Sequence, residues 1–401
     1  MTRGQLVRTG TLSVACLALL WLTVSVTVAG VFRAGKPDWA LSLRSDARAL
    51  AVASQQPLMN PARPDGDAAR RLAQEALARD PTAIDAVTTL GLVAVLRNDL
   101  PMAERSFRYA EHLSRRNGQT HVWLIERQVQ NNNIDGALTQ YDTALRTSND
   151  LRAQLFPILI SAVSDPNIAP RVNRLLLTRP NWYADFTAKL AYEGRDPVAM
   201  TTVTRGLLDP AREDHRQWLA AMLPRLIQMN RLDLAWQAYE GLPRMAANAR
   251  APLRDGNFSQ EQPLAPFDWA YNGESDLAPE RRALGGAAED GFALYLPAPD
   301  RAGDAARQAL RLAPGAHSLT ATAGDVSGDV RQRPFVQIRC ATSDQPLLRQ
   351  TLPDAGPEGA PMRGAFTVPA GCPYQWITIG VQARDGDARS ATAWIARLSI
   401  R

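Results

Sequence analysis

The chain has 401 residues, 45% hydrophobic and 21% charged, with 45 basic against 40 acidic side chains and a net charge of +5. That length holds two or three domains, one of them with a sizeable core, and the composition is that of a folded protein. The charge forms no run of one sign, which argues against a nucleic-acid-binding protein, since these gather basic residues on one face.

The basic residues are almost all arginine, with Lys36 and Lys189 the only lysines. Beside the abundant Ala, Pro and Gly, this reads as GC-rich coding and not as phosphate recognition.

From the N-terminus, Thr9 to Val31 is an uncharged run rich in Leu, Val and Ala. It is long enough to span a bilayer as a helix, and longer than the apolar stretch of a cleaved signal peptide. Residues 9–31 are therefore expected to anchor the chain in a bacterial inner membrane, with a signal-peptide cut after Gly30, two residues beyond Val28, as the alternative. Arg3 and Arg8 precede the run and Arg33, Lys36 and Arg44 follow it, so charge alone does not orient it. The short N-terminal tail favours tail inside and bulk in the periplasm. Residues 1–37 are assigned to this tail and transmembrane signal anchor.

Helical signals run from there to about Leu242. Ala69, Ala73 and Ala76 are followed thirty-four residues later by Ala103, Phe107 and Ala110, and after the same interval by Ala137, Tyr141 and Ala144. A small–large–small series with steps of four and three lies on one helix face. Its recurrence makes that helix the second of a repeated hairpin, so residues 38–245 are expected to form an α-solenoid of stacked helical hairpins. Asn98-Asp99 makes a turn with Pro101 just inside the next helix. Beyond Asp150 the register slips. Helices are still predicted near 151–163, 168–178, 182–193, 198–208, 211–229 and 232–242, with Pro224 kinking its helix. Ala235, Trp236 and Tyr239 repeat the small–large pattern once more. These helices read as a degenerate continuation of the solenoid, with a separate bundle as the alternative.

From about residue 246 the period changes to alternation between Gly-, Pro- and Asp-rich turns. Strands are predicted near 292–296, 309–312, 317–321, 335–340, 364–368, 374–381 and 391–400, with 277–287 as a non-strand insertion. Their number and spacing predict an antiparallel β-sandwich over 246–401. Cys340 and Cys372 are the only cysteine pair beyond the apolar run, which holds Cys16. A bridge between them would stabilise by roughly 3–4 kcal/mol and belongs to an oxidising compartment. Two buried free thiols are the alternative.

The helical spacing resembles the tetratricopeptide repeat. Leu90, Gly91, Ala103, Phe107, Ala110 and the preceding Asp80-Pro81 match that family's pattern, whereas the next repeat has Ile125 in place of the Gly and Asn149 in place of the closing Pro. The match covers residues 66–150. It implies a protein partner held along an inner face lined by Asp85, Thr88, Leu92, Gln119, Val122, Glu126 and Gln130. Polar side chains around a few apolar ones suit an extended peptide.

The C-terminal part resembles jelly-roll carbohydrate-binding modules. The likeness rests on Gly256-Asn257-Phe258, Pro266-Phe267-Asp268-Trp269, the strand and turn from Gln308 to Gly315, the Cys340 strand and the Gln375-Trp376 strand. It implies a polysaccharide ligand stacked on exposed aromatics, with Trp269, Tyr271 and Trp376 as candidates; Tyr295, Tyr374 and Trp394 are also available, and core packing consumes a similar number of rings. An anchor, helical repeats and such a sheet together are similar to tetratricopeptide-repeat proteins of bacterial envelope or exopolysaccharide systems.

Catalytic signals are absent. His112, His121, His215 and His317 are dispersed and none sits in a zinc-binding spacing. Glu213-Asp214-His215 lies at a helix start, where acids favour the dipole. Asp385-Gly386-Asp387, and Asp325 with Asp329, build no calcium shell by themselves and read as turn-forming acids. No nucleophile elbow, phosphate loop or dinucleotide fingerprint occurs. No cofactor, metal or nucleic acid is expected. The sequence predicts a non-catalytic, membrane-anchored periplasmic scaffold that docks a protein partner during polysaccharide assembly or export. A lectin-like glycan-binding protein and a glycan-processing enzyme are the alternatives.

Overall fold

The computed structural model describes residues 46–60, 62–243, 251–261, 264–284, 291–383 and 392–401, together with Trp21, Thr23, Val24 and Thr27. The chain separates into two compact units. The first takes in residues up to Ser161 with Pro180–Trp182, and the second Ala162–Arg179 with Tyr183–Arg401.

The first unit begins with α1 (Ala47–Ala53), α2 (Gly66–Arg79), α3 (Ile84–Leu96) and α4 (Leu100–Leu113). It continues with α5 (Gly118–Gln130), α6 (Ile134–Thr147) and α7 (Asp150–Ala162). Helices α2, α4 and α6 start thirty-four residues apart, and so do α3 and α5. Their starts are set by side-chain caps: Asp65, Asp99 and Asn133 accept from the amides of Ala68, Met102 and Gly136. The turns inside the hairpins use left-handed asparagines, Asn98 at φ 58° and Asn132 at φ 54°. A short polar side chain tolerates that conformation better than most.

The three small–large–small trios are all buried. Gly91 on α3 is required by this packing. A Cβ there would stand 2.9 Å from Cε2 of Phe107, so the missing side chain lets the ring cross. Phe107 also stacks on Trp123 of α5, with ring centroids 4.5 Å apart, and so links one hairpin to the next.

In the second unit α8 (Ala169–Leu177), α9 (Tyr183–Glu193), α10 (Pro197–Thr204), α11 (Glu213–Gln228) and α12 (Leu232–Glu240) precede the strands. Pro224 lies inside the continuous α11. The α11–α12 turn again uses a left-handed asparagine, Asn230, and the buried Ala235 and Tyr239 stand as far beyond it as Ala103 and Phe107 stand beyond Asn98.

The strands are β1 (Ala270–Tyr271), β2 (Glu280–Ala283), β3 (Phe292–Tyr295), β4 (Gly303–Leu310), β5 (Gly315–Gly324), β6 (Phe335–Cys340), β7 (Pro346–Thr351), β8 (Ala360–Val368), β9 (Gln375–Val381) and β10 (Trp394–Ile400). They form two antiparallel five-stranded sheets in the orders β1-β4-β9-β6-β7 and β2-β3-β10-β5-β8. Alternate residues such as Ile338, Ile377, Ile379, Leu319 and Ile395 fill the space between the sheets. The insertion expected near 277–287 contains the edge strand β2, held by its ladder to β3. Strand β7 also escapes the sequence reading. Its Leu-Leu-Arg-Gln lacks clean alternation, yet it pairs with β6 along the sheet edge.

The expected inner-membrane location is corrected. Among the described residues no helix is long and apolar enough to cross a membrane. The longest of the assigned helices, α11, has 16 residues and carries Arg, Glu, Asp and His. A helix of that size spans roughly 24 Å, short of the ~30 Å apolar layer of a bilayer. Of the run 9–31, only Trp21, Thr23, Val24 and Thr27 are described, all exposed; the rest lies outside the described residues.

Candidate functional site

In the first unit the residues expected to line a peptide groove divide into two sets. Gln119, Val122, Glu126 and Gln130 are exposed along one face of α5. Thr88 is fully buried, its hydroxyl 3.5 Å from that of Thr120, where α3 meets the next hairpin. Leu92 packs against Phe107 and Leu124. Asp85 is half-buried, and burial raises its carboxyl above the usual 3.8. It shares with Arg48, Asp80 and Arg116 an open depression of about 590 Å³.

His121 is a structural histidine. It is fully buried, with Nδ1 2.8 Å from Oε1 of Gln140 and Nε2 2.8 Å from the carbonyl of Arg115. Gln140 in turn donates to Glu111 at 2.8 Å.

The three expected sugar-stacking aromatics part company in the sandwich. Trp269 lies in the core, 1% exposed, its Nε1 donating to the carbonyl of Asp255 at 3.0 Å. Tyr271 is half-buried against the same core, and burial raises its phenol. Neither presents a ring face to a ligand. Trp376 points out from β9, half-exposed, with the Arg307 guanidinium 5.3 Å from its ring centre. On the same face Arg349 lies 3.5 Å over Phe335. Cys340 and Cys372 are bonded to each other, with Cα atoms 5.5 Å apart, and close the turn before β9. Of the acids weighed for calcium, Asp329 caps the amide of Arg331; Asp385-Gly386-Asp387 lies outside the described residues.

The outer face of the second sheet carries an open groove of about 640 Å³ that these residues do not touch. Its floor is β5, where alternation turns Ser318, Thr320 and Thr322 outward while Leu319, Ala321 and Ala323 enter the core. Successive hydroxyls on one strand face stand roughly 6.8 Å apart. Arg363 of β8 pairs with Thr320 on one side. On the other side Ser399 of β10 pairs with the same threonine, and Arg397 and Arg401 line the groove. Arg401 is tied to Ser318 by two backbone hydrogen bonds, of 3.0 and 2.8 Å.

Arg397 reaches this position through a bulge. The β10–β5 register shifts between Ala396 and Ser399, and Arg397 takes φ 54°. A bulge re-aims the side chain it carries. The displaced amide of Leu398 donates instead to the carbonyl of Gly256 at 2.8 Å. Only glycine fits at 256, because a Cβ would fall 1.8 Å from the Leu398 carbonyl oxygen.

The groove is polar and cationic. Elsewhere in the sandwich Arg282, Arg301, Arg333 and Arg339 each pair with a carboxylate. Among the described residues no carboxylate stands within ion-pair distance of Arg363, Arg397 or Arg401. Among the described residues the lining contains no Asp, Glu or His side chain, so the groove can hydrogen-bond a hydroxyl-rich or anionic ligand but supplies no side-chain carboxylic acid or imidazole for proton transfer.

No protein-family model matches the chain, and no curated protein matches it. Among solved structures, the chain is similar over 37% of its length to a carbohydrate-binding module, CBM4, covering 99% of that chain at 15% identity and a TM-score of 0.26. It is similar over 37% of its length to the enzymatically active domain of tailspike protein 4 of bacteriophage CBA120, at 12% identity and a TM-score of 0.27, and spans only 21% of that domain. A third likeness is to a glycosylation associate protein complex (Gap123) from Streptococcus agalactiae. It covers 33% of this chain and 44% of that one, at 11% identity and a TM-score of 0.20. TM-scores this low transfer neither a fold family nor a ligand to this chain.

Proposed function

We propose that this protein is a non-catalytic glycan-binding adaptor. Its β-sandwich holds an oligosaccharide stretch in the groove on the second sheet, and its helical hairpins dock a protein partner. The observation that carries the reading is the row Ser318, Thr320 and Thr322, a strand face of hydroxyls flanked on both sides by guanidiniums in a groove of about 640 Å³. Ligand sites are commonly concave and of this order of size. Donors and acceptors spaced along a strand suit a polymer whose units repeat their own hydroxyls.

The lack of an Asp, Glu or His side chain among the described lining residues supports binding without turnover. For the adaptor half, the support is the exposed stripe Gln119, Val122, Glu126 and Gln130 on α5, where polar groups surround an apolar side chain as peptide docking requires. The test is migration of the intact protein through native gels containing dissolved polysaccharides. Retardation by at least one glycan, with no new reducing ends after long incubation, supports the reading. Unaltered migration in every gel refutes the glycan half, and released reducing ends refute the non-catalytic half.

A further inference from the structure

Resting on the glycan reading, we infer that the groove is built for an acidic polysaccharide, one bearing a carboxylate on its repeating units. The hydroxyl row would accept a neutral sugar on its own. The arginines add something a neutral sugar does not need. They come from three separate places, Arg363 in β8, Arg397 at the bulge and Arg401 beyond β10, and all line the same groove. Each is exposed and, among the described residues, no Asp or Glu side chain is paired with it. A guanidinium at a protein surface needs no such convergence for solubility.

The placement of Arg397 strengthens the argument. Regular pairing would alternate the β10 side chains between the two faces, but the bulge sets Arg397 in a left-handed conformation at the groove margin. Such a conformation is unfavourable for a side chain longer than Asn or Asp. Guanidiniums on both sides of a floor of hydroxyls clamp planar carboxylates on a chain that lies along β5. A single nucleic-acid strand is the other linear polyanion, and it needs exposed rings for base stacking. The groove lining has no aromatic residue, which favours the acidic glycan.

The experiment measures binding of the intact protein, at fixed ionic strength, to polygalacturonate, alginate and hyaluronate. Each is set beside its carboxyl-reduced form, with polyglutamate and single-stranded DNA as polyanions that contain no uronic acid. At least one polyuronate is expected to bind, and its reduced form to bind roughly tenfold more weakly, the scale of one lost charge-assisted hydrogen bond. The double variant Arg363→Gln/Arg397→Gln, with an unchanged melting temperature, is expected to bind both forms with equal, low affinity. Equal binding of acidic and reduced forms by the wild type overturns the acidic preference and leaves the glycan reading standing. Binding of no polysaccharide of either kind overturns the glycan reading as well. Tighter capture of polyglutamate or DNA than of any polyuronate, or full binding by the double variant, also overturns the inference.

Discussion

The hydroxyl of Tyr239 on α12 donates to Oδ1 of Asp268 at 2.9 Å, and both residues are buried. This bond lies in a sealed cluster that fastens the last helix to the sandwich. Arg254 stands 3.7 Å from Asp268, donates to the carbonyl of Ala309 at 2.6 Å, and lies over the rings of Trp236 and Tyr239. Oδ2 of Asp268 accepts from the Leu264 amide at 2.8 Å and from Gln260 at 3.2 Å. Burial raises the Asp268 carboxyl and the Tyr239 phenol, while the donors around the carboxylate oppose the rise of the carboxyl. A cationic and an anionic side chain, each 3% exposed, survive here on their mutual attraction and the hydrogen bonds to Nε, Nη2 and the carboxylate, although Nη1 of Arg254 finds no partner among the described residues.

Removing one partner leaves the other charge buried and uncompensated. Asp268→Ala is therefore expected to destabilise the second unit by roughly 3–5 kcal/mol, and Tyr239→Phe by about 1 kcal/mol. Urea titration followed by tryptophan fluorescence reads both. A shift for Asp268→Ala no larger than that for Tyr239→Phe would show that the cluster contributes little.

Gly91 provides a packing test in the first unit. Gly91→Val places new atoms against the Phe107 ring, which lies 2.9 Å from the point a Cβ at residue 91 would occupy. Overpacking of this kind costs roughly 1–3 kcal/mol. A lower melting temperature is expected, with Phe107→Leu in the same chain recovering part of it. A variant as stable as the wild type contradicts the close crossing of α3 and α4.

Stability should also fall as pH drops through the histidine range. His215 is buried beside Tyr183 and Trp218, and its Nδ1 accepts from the Asp209 amide at 3.0 Å. Burial lowers its pKa from the ordinary 6.5. The unfolded chain then takes up a proton at a pH where the native protein does not, so the contribution is complete above 6.5 and is lost as pH falls below it. Melting temperatures between about pH 7.5 and 5.5 should decline for the wild type and less steeply for His215→Asn, which keeps an acceptor. Parallel curves would remove His215 from this account.

Reduction gives a further check. The Cys340–Cys372 bond closes a loop with a sequence separation of 32, worth roughly 3–4 kcal/mol by chain entropy. Intact mass before and after reduction should differ by two hydrogens, and the reduced protein should melt earlier. Two free thiols titrating in the unreduced, unfolded chain would contradict the bond.

The helical hairpins were legible because their determinants are local. Ala at 103 and 110, the ring at 107, the turn asparagines and the capping Asp99 all recur at a fixed interval. The paired sheets were legible from alternation, but their short edge strands were not. Glu280–Ala283 is mostly charged, and only its ladder to β3 makes it a strand. The groove was invisible for another reason. Ser318, Thr320 and Thr322 read as ordinary outward residues, and the arginines beside them are joined only by strand order. The bulge at Arg397 depends on the Gly256 carbonyl, far away in sequence. Aromatic content pointed to Trp269 as a ligand platform, whereas the fold uses that ring as core.

The claim that the second-sheet groove holds glycan is tested most directly by filling it. Thr320 is half-buried at the centre of the floor, and Thr320→Trp adds a ring above the sheet without entering the core. Titration calorimetry with the glycan that most retards the wild-type protein should give measurable heat of binding for the wild type and none for Thr320→Trp at equal stability. The same heat and affinity in both proteins would contradict the account.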